Sequence, residues 1–417
     1  MADARASRAG SGRRAFDLLN FFLANVQTGF GPFVAVYLTA HKWTDGDIGL
    51  VLSVGTVVGV ASLLPAGALV DAARSKLATA AAAIGGVVAA ALLLAVWPVA
   101  LSVVAAEILH GVASSVLTPA IAALSLALVG RAALSERLGR NAAFGAVGNG
   151  LAAAAMGAAG SVFGTGAVFW LTAALGLPAL AALAAMRQAV GDAATEVAGM
   201  PREHLDRHEL AALLADRRLL VFAAVIVLFF LANTAVLPLA ASLATREAAD
   251  RASLIIAAAI VLPQAVVATT SRWVGSRAEQ RGRRPLLLLG WGVLPLPALL
   301  LALLPTPAVL LAGQALGGIS AAVVGVMLPL IAADLTRERG HFNFCVGLFG
   351  LCAAAGATLS TALAGEMADA AGNRAAFLCL AAVGLAAMAL LWAAMPETRS
   401  DAAAGPGPRV DPRQVPG

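Results

Sequence analysis

Charge is what this chain most conspicuously lacks. Of its 417 residues only 12% are charged while 60% are hydrophobic, and the mean hydropathy is +0.87. A soluble globular chain carries about 25% charged residues. Half of the usual solvated surface is therefore missing, which excludes a water-soluble enzyme, a disordered chain and a fibrous one. Lysine is almost absent, Lys42 and Lys76 being the only two, and arginine supplies the rest of the 28 basic residues. The three cysteines, Cys345, Cys352 and Cys379, all lie in apolar runs, so no disulfide framework is implied. There is no phosphate-cradling Walker A sequence and no nucleophile–base arrangement, so neither ATP as a driver nor enzymatic chemistry is expected, and no cofactor is called for.

What is present is apolar sequence in long blocks. About 20 apolar residues cross a bilayer, and the blocks predict an all-α membrane protein with twelve transmembrane helices. They are numbered here as spans 1 to 12: 16–40, 46–71, 77–97, 98–128, 141–164, 166–187, 218–243, 252–273, 285–304, 306–333, 342–369 and 374–395. Pro32 and Pro238 are expected to kink spans 1 and 7. All but four of the 28 basic residues (Lys42, Arg246, Arg251 and Arg374) fall in the terminal segments, in the connections after spans 2, 4, 6, 8 and 10, or at the ends of the spans that border those connections. The positive-inside rule then places both termini in the cytoplasm, and the spread of basic residues over many short loops argues against a nucleic-acid partner. The expected organisation is a tail over 1–15, a six-helix bundle over 16–189, a polar linker over 190–217, a second six-helix bundle over 218–396, and a disordered tail over 397–417 with four prolines. In the linker, His204 and His208 stand four apart beside Glu203 and Glu209. This spacing reads as a solvated helix face, and no metal site is expected.

The two halves repeat each other. Phe21-Phe22-Leu23-Ala24-Asn25 in span 1 recurs as Phe229-Phe230-Leu231-Ala232-Asn233 in span 7. Gly67, Asp71 and Lys76 around the end of span 2 recur as Gly275, Glu279 and Arg284 around the end of span 8, at the same offset. Glu107, Leu109 and Gly111 of span 4 match Gln314, Leu316 and Gly318 of span 10, and Asn141, Gly145 and Gly148 of span 5 match Asn343, Gly347 and Gly350 of span 11. With six spans per half, both halves start on the same side. This is a parallel repeat about an axis along the membrane normal, an arrangement whose halves meet at a central site and can rock about it.

In topology, repeat and central linker, residues 15–396 resemble a major facilitator superfamily transporter. The sharpest motif lies between spans 2 and 3, where the family shows Gly-x-Leu-x-Asp-x-x-Gly-Arg-Lys/Arg; here Gly67, Leu69, Asp71 and Lys76 fit, with Arg74 and Ser75 in place of the Gly-Arg pair. The second copy carries Gly275, Glu279 and the Gly282-Arg283-Arg284 ending. The resemblance implies that Gly67 packs span 2 on span 11. It also implies that Asp71 meets the N-terminal end of span 11, where free N–H groups and the helix dipole favour an anion, latching the cytoplasmic gate. Arg74, Lys76, Gly275, Glu279 and Arg284 belong to the same gating set. The family lines its cavity with spans 1, 4, 7 and 10, which implies Asn25, Gln27, Asn233 and Gln314 as solute contacts, with Asn149 of span 5 as a further candidate. The resemblance also implies a monomer.

Two ionisable residues fall deep in a span, Glu107 and His110. A charge at bilayer depth costs about 2.5–3.5 kcal/mol even on lenient scales, so each needs a reason. At 1.5 Å per residue Glu107 lies about 14 Å into span 4, near the midplane, and the i, i+3 spacing places both on one face. A carboxylate and an imidazole so placed suit a proton relay. The structural alternative is that each bonds a neighbouring helix or backbone carbonyl. Drug antiporters of the resembled family usually carry arginine four before the glycine of span 4, and Glu107 inverts that charge. An anionic centre suits a cationic or zwitterionic solute, or the proton itself. The resulting expectation is a bacterial-type inner-membrane secondary transporter of a small organic solute, coupled to protons and working by efflux. A symporting or facilitative importer would read alike, and a membrane sensor that binds without turnover is the rival of another class.

Overall fold

The computed structural model describes residues 2–30, 32–97, 99–189, 211, 213–240, 249–337 and 340–399, and every element among them is helical. Eleven helices among the described residues are long and apolar enough to cross a membrane. The helix Ala249–Arg281 completes the twelve. Spans 2 to 6 are the helices Asp45–Ala72, Lys76–Val96, Ala100–Val129, Leu134–Phe163 and Ala167–Ala189, and spans 10 to 12 are Pro307–Leu335, Phe342–Ala371 and Asn373–Ala394.

Connections are short because side chains and glycines end the helices within a residue or two. Thr44 caps span 2 by accepting from Asp47 N at 3.1 Å, and Ser75 caps span 3 by accepting from Ala78 N at 3.2 Å. Asp216 does the same for span 7, accepting from Arg218 N at 2.8 Å. Spans 4 and 11 stop at Gly130 and Gly372, whose φ of 68° and 84° a residue with a Cβ adopts only at a cost.

Proline breaks three rods. Span 1 consists of Ala2–Thr28 and Pro32–Ala40. Span 7 is helical over Arg217–Asn233, turns at 234–235 and resumes over 236–240, four residues before Pro238 being Thr234, whose carbonyl Pro238 has no N–H to meet. Span 9, expected as one helix, is two, Arg284–Val293 and Leu296–Leu303, divided at Leu294-Pro295.

One hydrophobic cluster is built wholly from spans 1 to 6, around Phe16, Ile84, Leu117 and Phe169. A second is built almost wholly from spans 7 to 12, around Phe222, Trp291, Phe349 and Leu391, and takes in Ala122, Leu134 and Leu138 from the first half. Outside these cores Leu101, Phe163, Leu177, Leu220, Leu385 and Trp392 stay exposed. A belt of this kind needs lipid as its solvent, and the helices satisfy their own backbone within it. The halves meet chiefly through spans 5 and 8 and spans 2 and 11.

Three boundaries differ from expectation. Span 5 starts at Leu134, not 141, so Arg137 and Arg140 lie inside the helix; Arg137 is 3% exposed. Arg137, in the first turn of the span, is buried there because Asp17 of span 1 meets its guanidinium. The first helix begins at Ala2, within the stretch read as a tail. Residues 397–399, expected to open a disordered tail, are bonded to the second half: Glu397 accepts from Arg283 N at 2.8 Å and Arg284 N at 3.1 Å, and Thr398 Oγ1 donates to Asp334 at 3.2 Å. Most of the linker, with His204 and His208, and residues 400–417 lie outside the described residues.

Candidate functional site

Spans 1, 4, 5, 7, 10 and 11 surround a central cavity of about 440 Å³. Span 1 presents Asn20, Leu23, Ala24 and Gln27 to it, the i, i+3, i+4, i+7 face of one helix. Across from these stand Phe230 of span 7, Val324, Gly325, Leu328 and Pro329 of span 10, and Val346 of span 11. Span 4 adds Leu117, Thr118, Ile121 and Ala122, and span 5 adds Leu138, Asn141 and Ala142. The wall is mostly hydrocarbon. Its polar side chains are Asn20, Gln27, Thr118 and Asn141, and none of its residues is ionisable.

Of the expected solute contacts, Gln27 is on this wall. The others are placed elsewhere. Asn25 is 5% exposed, donates to Phe21 O at 2.7 Å and packs beside Gly148, so its amide sits at the span 1–span 5 contact. Asn149 accepts from Thr28 Oγ1 at 3.1 Å across the same contact. Asn233 and Gln314 are half-buried and are not among the lining residues.

Behind Asn20 and Asn141 lies a buried ion pair. Asp17 accepts from Arg137 Nη2 and Arg140 Nη2, and Arg137 also stands 4.9 Å over the Phe16 ring. Arg137 Nε donates to Asn141 Oδ1 at 2.7 Å. Asn141 Nδ2 donates to Ser125 Oγ at 2.7 Å, and Asn20 Nδ2 donates to Asn141 Oδ1 at 3.2 Å and to Phe16 O at 2.7 Å. A charge this buried is tolerated because it is paired and bonded throughout. The sequence pattern singles out none of Asn20, Arg137 and Arg140 as site residues. The available signal was Asn20 standing seven residues before Gln27, two turns along one helical face.

The end of the molecule carrying the connections after spans 2, 4, 8 and 10 is called here the basic side. Asp71 caps span 11 there: Oδ1 accepts from Asn343 N at 3.1 Å and Asn343 Nδ2 at 2.6 Å, and Oδ2 accepts from Phe344 N at 2.8 Å. Such close approach needs small residues. A methyl group on Gly67 would meet the Asn343 carbonyl, and one on Gly347 the Leu63 carbonyl. Lys76 Nζ donates to Asp71 O at 2.8 Å and to Val70 O, tying off the end of span 2, while Arg74 is exposed. The second copy meets span 5. Glu279 accepts from Ser135 Oγ at 2.9 Å and from Arg283 Nη1 at 3.4 Å, and Arg283 Nε donates to Asp334 at 3.0 Å. Gly275 and Gly139 permit the crossing, since a methyl group on either would meet the Ser135 or Ser271 carbonyl. Arg284 Nη2 donates to Trp392 O at 2.8 Å. Arg131 reaches the Ala333 carbonyl from the other half. All of these bonds between halves lie on the basic side.

Glu107 and His110 turn to different neighbours. Glu107 is 5% exposed and packs against Gly55 of span 2, and its Oε1 has no hydrogen-bond partner among the described residues. Gly111 lets the same two helices close, its Cα side lying against Gly55 O and Gly59. The His110 ring stacks on Phe30 at the break of span 1, centroids 3.7 Å apart. Neither residue lines the cavity. The charge argument for a cationic or zwitterionic solute therefore loses its footing, because the carboxylate faces another helix. Among the described residues no group of three or more metal-ligating side chains occurs.

Known proteins share this architecture. The family model described as Major Facilitator Superfamily matches residues 16–294 and 249–414. Two uncharacterized MFS-type transporters of Mycobacterium tuberculosis, from strains CDC 1551 / Oshkosh and ATCC 25618 / H37Rv, are each 38% identical over 389 residues, covering 92% of this chain and 93% of theirs. Among solved structures, a proton:xylose symporter superposes with a TM-score of 0.70 at 13% identity, over 95% of this chain and 97% of its own. The transporter FucP in an outward conformation gives 0.67 at 16%, over 91% and 97%. A human organic anion transporter gives 0.69 at 17%, over 92% and 99%. At such identities the structural likeness speaks for the fold alone. The match of the family model to both halves, together with relatives at 38% identity along nearly the full length, carries the assignment further: this chain belongs to the major facilitator superfamily.

Proposed function

We propose that the protein moves a small organic solute across a bacterial plasma membrane by alternating access, with the basic side in the cytoplasm together with both chain ends. The observation that carries this is the capping of span 11 by Asp71 beside a central cavity. A carboxylate held by two backbone N–H groups and an amide is a bond that can be made in one arrangement of the halves and broken in another. With it made, the cytoplasmic mouth is shut and the cavity is available to the opposite side. The chain acts as a monomer, with residues 16–189 and 218–396 as the rocking units. Under this reading Lys42 and Lys76 lie on opposite faces of the membrane, and labelling them from one compartment only would show it.

The driving ion is the proton, and Glu107 is its carrier. What supports this is a carboxylate at bilayer depth with one oxygen that no described residue bonds. A lone charge there costs about 2.5–3.5 kcal/mol, so the side chain holds a proton until helix movement brings water or a partner to it. The carrier, on span 4, packs against Gly55 of span 2, the helix whose end carries Asp71, so proton release and latch opening bear on the same rod. His110, stacked on Phe30, serves the same route. The direction is efflux, which suits a mostly hydrocarbon wall open to solutes that partition into lipid. The test is proton movement in proteoliposomes, read with pyranine trapped inside, on addition of small phenols and amines under an imposed pH gradient. Solute-dependent proton flux is expected, together with its loss in Glu107→Gln while downhill solute exchange continues. Flux that ignores the gradient and is unchanged in Glu107→Gln would show that coupling does not run through span 4.

A further inference from the structure

The hydrogen bonds around Asn20 fix which way its amide points, and with it what the cavity asks of a solute. The orientation follows from the donors one by one. Arg137 has only donors, so the Asn141 atom that meets its Nε at 2.7 Å must be the oxygen. Ser125 Oγ donates its own hydrogen to Ile121 O at 2.7 Å, so it can only accept from Asn141, which fixes Nδ2 on that side. Asn20 therefore presents Nδ2 to Asn141 Oδ1, and the Phe16 carbonyl at 2.7 Å demands the same orientation. Both N–H groups of Asn20 are consumed. Its Oδ1 accepts from no described residue, and Asn20 lines the cavity.

A second acceptor stands across the cavity on the other half. Pro329 lies inside the helix Pro307–Leu335 and has no N–H to give the carbonyl four residues back, which belongs to Gly325. Gly325 and Pro329 both line the cavity, and the space where a Gly325 side chain would be is open. Gln27 and Thr118 can donate or accept, so they adapt to either kind of solute.

The geometry points to Asn20 Oδ1 and Gly325 O as a pair of fixed hydrogen-bond acceptors, one from each half, that select a largely apolar solute carrying hydroxyl or N–H donors and no anionic group. This rests on the reading of the cavity as the solute site. Asn141 and Arg137 act as positioning residues, holding the Asn20 amide against reversal. Because the acceptors belong to different halves, a solute that satisfies both bridges the two rocking units.

The test is equilibrium binding of matched probes to the purified full-length protein: 2-naphthol, its methyl ether 2-methoxynaphthalene, and 2-naphthoate. A net hydrogen bond contributes about 0.5–1.5 kcal/mol, which corresponds to an affinity ratio of up to about tenfold. The wild-type protein should bind naphthol several-fold to tenfold more tightly than the ether, and naphthoate most weakly of the three. In Asn20→Ala the naphthol-to-ether ratio should fall while affinity for the ether holds. Asn141→Asp keeps an acceptor for Arg137 Nε and Asn20 Nδ2 and should keep the ratio. Equal binding of naphthol and ether by the wild type, failure of both to bind, or tighter binding of naphthoate would each overturn the inference without need of any variant. Proteoliposome flux with no donor preference would sink this inference and leave transport standing. Donor-selective binding without flux in either direction would do the reverse.

Discussion

The two copies of the loop motif occupy equivalent places and do different work. The first sends Asp71 across to span 11, where it takes two backbone N–H groups and an amide. The second sends Glu279 across to span 5, where it takes one hydroxyl, from Ser135, and shares itself with Arg283 of its own half. Sterically the copies agree, since Gly67 and Gly275 each lie against a facing backbone carbonyl. Electrostatically they do not. A charge on free helix N–H groups has both the dipole and charge-assisted bonds in its favour, whereas the bond to Ser135 is a single one and the Arg283 guanidinium is also engaged by Asp334. The comparison teaches that a repeat keeps the crossing of the helices while one copy concentrates the bonds to the facing helix.

Three sets of variants sharpen this contrast. The largest effect is expected from Gly67→Leu and Gly275→Leu. Overpacking costs about 1–3 kcal/mol, so each should lower initial solute flux in proteoliposomes by roughly tenfold to a hundredfold, and to a similar extent. A large difference between the two would break the claim of steric equivalence. Next comes Asp71→Ala, expected to lower flux by about tenfold, against about threefold for Glu279→Ala. Equal losses would mean that the second copy latches as firmly as the first. The smallest effect is expected from Ser135→Ala, which removes one neutral partner of a half-exposed carboxylate and should change flux less than about threefold. A loss matching that of Asp71→Ala would move the principal latch to span 5.

Much of this architecture was legible in the sequence. Twelve apolar blocks, the side bias of arginine and the Gly67/Asp71 motif each follow from what a bilayer permits and from what a helix N-terminus attracts. The structure brings Asp71 to span 11 and Gly67 against Asn343, as the resemblance implied. The side chains read from depth alone fared differently. Gln27 reaches the cavity, but Asn25 and Asn149 are held at the span 1–span 5 contact and Glu107 at Gly55. Depth along a helix follows from residue number, whereas the neighbour a side chain meets depends on rotation and tilt, which a uniformly apolar helix does not disclose. Asn20 and Asn141 were missed for a related reason. Their importance comes from Arg137, and an arginine reads as a helix boundary until Asp17 is seen to pair with it. Glu397 was missed because a proline-rich ending reads as unstructured, although its first residues are tied to Arg283 and Arg284.

The central claim is that Asp71 holds the basic side shut. Cys345 reports on it directly, being fully buried two residues beyond Asn343. With Cys352 and Cys379 replaced by serine, the rate at which a water-soluble maleimide labels Cys345 from the basic side should be slow with Asp71 in place and at least several-fold faster in Asp71→Ala. Identical rates in the two proteins would contradict the account.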